Sequence, residues 1–127
     1  MKTGAMWGEL VYVGLGSMVG GMARHAVGCW FPAATGRVPL ATLAVNVGGC
    51  FVIGLANALL ARHGQPSAAL RLLLTTGFCG GFTTFSTFVN ENFLLLRGNH
   101  LGIALAYLIL SLGLGFLALY AGYQLGR

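Results

Sequence analysis

Between residues 68 and 96 the chain stays apolar for longer than one membrane crossing needs. In the middle of that run stands T-T-G-F-C-G-G-F-T-T-F-S-T-F, from Thr75 to Phe88. As one straight helix the region would reach about 43 Å at ~1.5 Å per residue, against a hydrocarbon core about 30 Å thick. It must overshoot, tilt or break. Gly77, Gly80 and Gly81 weaken a helix, since each glycine costs about 1 kcal/mol relative to alanine. The threonines that follow can cap a new one. A helix broken at membrane depth strands backbone N–H and C=O groups, and this is tolerated only where protein, an ion or a watery cavity satisfies them. The stretch is therefore the expected functional centre, with the break placed between Gly77 and Thr83.

The remainder of the chain requires lipid as its solvent. Only 7% of the 127 residues are charged, where a soluble domain carries about 25%. Length and hydropathy predict a single transmembrane domain, residues 1–127, of the all-α integral membrane class. Its four transmembrane helices are expected near 9–31, 40–61, 68–96 and 101–125, the third broken near its centre. The formal charge of +5 rests on scattered Lys and Arg. This points to loop and headgroup contacts with a lipid bilayer and to no nucleic-acid partner. Cys29, Cys50 and Cys79 show no C-x-x-C spacing and read as small packing residues. Lys2 before an apolar run has the opening of a signal peptide. The run is too glycine-rich, and continues too far past any small-residue cleavage site, to favour removal.

In the first span Gly16 and Gly20 form G-x-x-x-G, and Ser17 and Gly21 make a parallel small pair. Both suggest a face on which another helix backbone can approach closely. Arg24, late in this span, either snorkels to the interface or turns inward, where it would hold helix ends together or raise the potential for an anion. The segments Pro32 to Pro39 and Arg62 to Ser67 read as loops. In the second span Thr42, Asn46, Cys50 and Asn57 fall near one helical face. A deep Asn46 serves either as an interhelical hydrogen bond or as an N–H donor on a polar path. Arg97 to His100 forms the third loop, and Tyr107 and Ser111 lie one turn apart in the last span.

Four spans put both termini on one side. Lys2, Arg62, Arg71 and Arg127 then face Arg37 and Arg97, with Arg24 joining the latter if it snorkels. That bias is small under the positive-inside rule, and it permits insertion in both orientations and an antiparallel homodimer.

A break at Gly77 to Thr83 makes two helix ends, one rich in free carbonyls and one in free N–H groups. Unwound carbonyls at such a break can hold sodium, and two per chain would become four in a two-fold dimer. Alternatively, Thr83 and Thr84 cap the break with no ion. Phe82, Phe85 and Phe88 recur every third residue, with Ser86 and Thr87 between the last two. Such a stripe is either core packing or a row of ring edges, which carry partial positive charge. No Lys or Arg lies centrally in the second, third or fourth span. An anion path here would use neutral donors and ring edges, which suits an ion that must be partly dehydrated yet released. Glu91 either faces a vestibule or reaches the interface, and spacing slightly favours the interface.

At these residues the sequence resembles the Fluc family of fluoride channels, also called CrcB proteins. The resemblance covers nearly the whole chain: G-x-G-x-x-G-G-x-x-R ending at Arg24, A-T-L-A-V-N-V-G-G from Ala41, the Thr75–Phe88 stretch, and Tyr107 with Ser111. It implies a dual-topology antiparallel homodimer of four-helix chains with two fluoride pores in the plasma (inner) membrane, passively exporting toxic cytoplasmic fluoride. Phe85 and Phe88 would then be pore phenylalanines and Asn46 the pore amide. Thr42, Tyr107 and Ser111 would fall on a polar track, with Thr84, Ser86 and Thr87 beside the pore and Arg24 and Glu91 near the vestibules. Backbone carbonyls of Gly80 and Thr83 would bind a structural Na+ at the dimer centre. Gly115 departs from the pattern, standing where some members carry another hydroxyl.

Other classes fit less well. A small multidrug-type proton-coupled exporter needs a carboxylate deep in a span, whereas Glu9 and Glu91 lie toward span ends and are the only acids. An intramembrane hydrolase would use Ser17, Ser86 or Ser111, but His25, His63 and His100 sit at span ends or loops and the chain has no Asp. The chain is not expected to be an enzyme. A purely structural bundle explains the glycine faces but not the hydroxyl–phenylalanine stretch.

Overall fold

A computed structural model describes residues 3–31, 36–64 and 67–127. Lys2, the first part of the Pro32–Pro39 loop and residues 65–66 of the second loop lie outside the described residues. The described residues form helices and their connections: α1 (Thr3–Trp30), α2 (Leu40–Arg62), α3 (Ala68–Leu72), a π-helical segment (Leu73–Cys79), α4 (Gly80–Phe82), α5 (Phe85–Arg97) and α6 (Leu101–Gly126). Three units are long and apolar enough to cross a membrane: Leu40–Arg62, Ala68–Arg97 and Leu101–Gly126. The 28-residue α1 has the length, but its many glycines dilute its apolarity. Large apolar side chains point outward on every long helix, among them Trp7, Met22, Phe116 and Leu125. In water such a surface would aggregate; in lipid it is solvated.

Two packed pairs organise the chain. The first sets α2 against α6, and the second sets α1 against the π-helical segment and α4. Glycines make both contacts possible. A Cβ built on Gly20 would lie 2.8 Å from the Phe82 nitrogen, and one on Gly16 would lie 2.9 Å from the Gly77 Cα. Gly54 meets the Leu119 carbonyl, and Gly122 meets that of Phe51. Lipid supplies no hydrophobic drive between helices, so close backbone approach is what holds them. The small-residue pattern of α1 thus has a definite partner, the third hydrophobic region of the same chain.

That region departs from the expected break. Gly77 and Gly81 remain helical, as does Gly80 (φ −62°, ψ −38°). The chain first widens into a π-helix, a form that is rare and tied to functional sites. It then turns extended only at Thr83 (φ −94°, ψ 162°) and Thr84 (φ −150°, ψ 124°). The reason is tertiary. Gly77 and Gly81 serve contact with α1 rather than helix breaking, and packing outweighs the propensity penalty of glycine.

Candidate functional site

The break is sealed mainly by side chains from other elements. Thr83 donates its hydroxyl to the Cys79 carbonyl at 2.8 Å, closing the first half-helix. Thr84 caps α5, its hydroxyl accepting from the Thr87 N–H at 3.3 Å. Asn46, from α2, reaches across. Its Oδ1 accepts from the Thr84 N–H at 2.8 Å, and its Nδ2 donates to the Thr84 carbonyl at 3.1 Å. An amide has two N–H donors and an acceptor oxygen, so this pairing leaves one donor beyond what Thr84 uses. Arg24 turns inward, and its Nε donates to the Gly81 carbonyl at 3.2 Å. Ser17 donates to the Gly77 carbonyl at 3.4 Å.

These bonds also divert donors. In a continuous helix the Thr84 N–H would bond the Gly80 carbonyl and the Thr87 N–H would bond the Thr83 carbonyl. The first goes to Asn46 and the second to the Thr84 hydroxyl. Both carbonyls are thereby released from helical pairing. Gly80 and Thr83 line one shallow recess with Gly49, Cys50 and Cys79. Oxygen donors of this kind suit a hard cation. Among the described residues no group of three or more His, Cys, Asp or Glu side chains offers a metal site.

A second cluster gathers around Glu91. Its Oε2 accepts from the Thr42 hydroxyl at 3.0 Å and its Oε1 from the Tyr107 hydroxyl at 2.8 Å. Tyr107 is fully buried, and its ring meets Phe88 edge-on with centroids 4.9 Å apart. Of the two placements that spacing left open for Glu91, these hydrogen bonds favour the one turned toward α2 and α6. Two donors from α2 and α6 hold the carboxylate inward, since a partly buried charge must be hydrogen-bonded. Phe85 lies 6.3 Å from Phe88, centroid to centroid, but is 77% exposed and points off its own chain.

A recess of about 340 Å³ joins Arg24, Thr42, Thr84 and Thr87. Ser86 is exposed. Ser111 stands apart from the Glu91 cluster. Its hydroxyl is buried with no partner and lines a different recess with Cys50, Gly115 and Phe116. Sequence reasoning missed the mutual pairing of Asn46 with Thr84 and the convergence of Thr42 and Tyr107 on Glu91. The four-residue step from Thr42 to Asn46 was the available signal, because it places both on one face of α2.

A helix broken inside an apolar span, with its backbone groups satisfied from neighbouring helices, defines a multi-span membrane protein. The chain belongs to the CrcB family: the family model described as "CrcB-like protein, Camphor Resistance (CrcB)" matches residues 11–123. It is 44% identical over 121 residues to a protein of Chlorobium phaeobacteroides (strain BS1) named fluoride-specific ion channel FluC, covering 95% of this chain and 94% of that one. A protein of the same name from Acidobacterium capsulatum is 44% identical over 120 residues, covering 94% and 96%. Another, from Chlorobium chlorochromatii, is 46% identical over 115 residues, covering 90% and 88%. These relatives are named as ion channels rather than enzymes.

Proposed function

We propose that the protein is a fluoride-selective channel that passively exports cytoplasmic fluoride across the plasma (inner) membrane, through two pores of an antiparallel homodimer of four-span chains. The observation that carries this reading is the broken third helix, bordered by the Asn46 amide, by hydroxyls and ring edges, and by Arg24. The name shared by relatives that align over nearly the full chain supports it. The path would use the second donor of Asn46, the hydroxyls of Thr42, Thr84, Ser86, Thr87, Tyr107 and Ser111, and the ring edges of Phe85 and Phe88. Arg24 and Glu91 would stand at its vestibules. Neutral donors attract an anion without trapping it, which conduction requires.

The exposed Phe85 ring supports a dimer, since a second copy would complete its surroundings. The carbonyls of Gly80 and Thr83 would hold Na+ where two copies meet, and the donor diversion at the break supports that assignment. The ion would fix the dimer by neutralising the converging carbonyls.

The direct test is fluoride efflux from liposomes containing the purified protein, with chloride as comparison and an ionophore to carry counter-charge. Rapid fluoride efflux without chloride leak is the expected result, and a folded sample that passes no fluoride would sink the reading. Phe85→Ile and Phe88→Ile should each lower flux by about tenfold, the worth of a ring-edge contact of roughly 1.4 kcal/mol, while assembly persists. Wild-type flux in both variants would remove the ring-edge argument.

Gly80→Leu tests the dimer separately. A Cβ at Gly80 meets nothing within 4 Å in its own chain, so the protomer should fold. Gel filtration with chemical cross-linking should then show the dimer weakened by about tenfold or more, as overpacking of roughly 1–3 kcal/mol implies. A Gly80→Leu dimer with ordinary flux and bound sodium would contradict the placement.

A further inference from the structure

One recess shares only Glu91 with the path described so far. It lies between the entry to α2 and the α5–α6 turn, has a volume of about 220 Å³, and is lined by Arg37, Glu91, Leu94, Gly98 and His100 among others. Its wall is built, not incidental. His100 is partly buried, and its ring fills a slot left by two glycines. A Cβ on Gly36 would stand 3.0 Å from its Nε2, and one on Gly98 3.0 Å from its Cδ2. Gly36 has φ +68°, a conformation that glycine adopts without strain. The His100 backbone is pinned as well: its N–H donates to the Leu95 carbonyl at 2.8 Å, and its carbonyl accepts from the Ala104 N–H at 3.0 Å.

Glu91 links this recess to the rest of the site. The carboxylate that lines it accepts the Thr42 hydroxyl, and Thr42 also lines the Arg24 recess. One residue of each recess is thus joined across the Thr42–Glu91 hydrogen bond, with Tyr107 beside it.

We propose that the recess lined by Arg37, Glu91 and His100 is an anion mouth of the channel, and that Arg37 and His100 set how strongly it gathers anions, His100 in a proton-dependent manner. This rests on the channel reading above. Among the described residues, the charged groups that line the recess with His100 are Arg37 and Glu91. Arg37 comes from the segment before α2, Glu91 from α5, and Tyr107 from α6, where it donates to Glu91. Arg97, at the end of α5, lies over the Phe93 ring at 5.9 Å. With His100 neutral, Arg37 and Glu91 offset each other. A proton on His100 leaves the mouth net positive and raises the local anion concentration.

The test is fluoride conductance in planar bilayers at pH 7.5 and 5.5, with equal pH on both sides. Leak through protein-free bilayers is subtracted, because hydrogen fluoride crosses lipid as a neutral acid. Histidine is the side chain that changes charge across this range. Wild-type conductance should rise about threefold on acidification, as one added charge acting through water over several ångströms implies. His100→Gln should abolish that rise. His100→Lys should give high conductance at both pH values. Arg37→Gln should lower conductance about threefold at both, leaving the ratio intact. A wild-type conductance unchanged by pH overturns the proposal even if no variant folds. So does a His100→Gln channel that keeps the wild-type rise. Absence of fluoride current at every pH would instead overturn the channel reading itself.

Discussion

Asn46→Ala is expected to cut fluoride flux by at least about tenfold and to destabilise the protein by roughly 1–3 kcal/mol. The Thr84 N–H and carbonyl are both held by the Asn46 amide, at 2.8 and 3.1 Å. The carbonyl of Thr84, at the cap of α5, still accepts the first bond of that helix. The N–H is left unpaired, and lipid offers it no replacement acceptor. Fluoride would also lose the amide donor that Thr84 does not use. Asn46→Asp keeps an acceptor for the Thr84 N–H, turns its second oxygen toward the Thr84 carbonyl, and adds a charge that repels anions. Its flux should fall at least as far as that of Asn46→Ala, with no smaller a loss of stability, because a carboxylate at membrane depth costs about 3 kcal/mol. Thermal unfolding in detergent and liposome efflux report the two effects. Wild-type behaviour of Asn46→Ala in both assays would mean that the amide neither seals the break nor serves the pore.

Gly20→Val should force α1 away from the third hydrophobic region. The added Cβ would meet the Phe78 carbonyl, with the Phe82 nitrogen at 2.8 Å and the Phe78 carbonyl carbon at 3.1 Å. These are backbone atoms, so no rotamer change relieves the clash, and the helices must separate. Overpacking costs about 1–3 kcal/mol where side chains can adjust, and a backbone clash belongs at or above the top of that range. The built-in control is Gly14→Val, six residues earlier in the same helix, where a Cβ meets nothing within 4 Å. Loss of folded, monodisperse Gly20→Val alongside normal recovery of Gly14→Val is the expected pattern. Equal recovery of the two would mean that α1 does not lie against the π-helical segment as described.

The same two sites show how far a linear reading reaches. The G-x-x-x-G of Gly16 and Gly20 announces a close helix contact but not its partner, because small residues permit an approach without selecting what approaches. The break was legible as a property of Thr75–Phe88, since glycine and threonine weaken and restart helices there. Its position moved to Thr83–Thr84 because packing against α1 holds the glycines helical. Spacing left Glu91 between two placements for a related reason. Its place late in an apolar run allows snorkelling, and only the donors from Thr42 and Tyr107, 49 and 16 residues away, draw it inward.

Sequence by itself determined the solvent, the helical class and the stretch within which the backbone breaks. Charge content, apolar run length and local propensity are additive along the chain, so no partner is needed to evaluate them. Tertiary structure decided which groups satisfy the break: Asn46 at Thr84, Arg24 at Gly81, and Thr42 and Tyr107 at Glu91. Hydrogen bonds are directional and act over about 3 Å. Their partners depend on how helices distant in sequence are juxtaposed, and that is set by the glycine contacts between α1 and the broken helix and between α2 and α6.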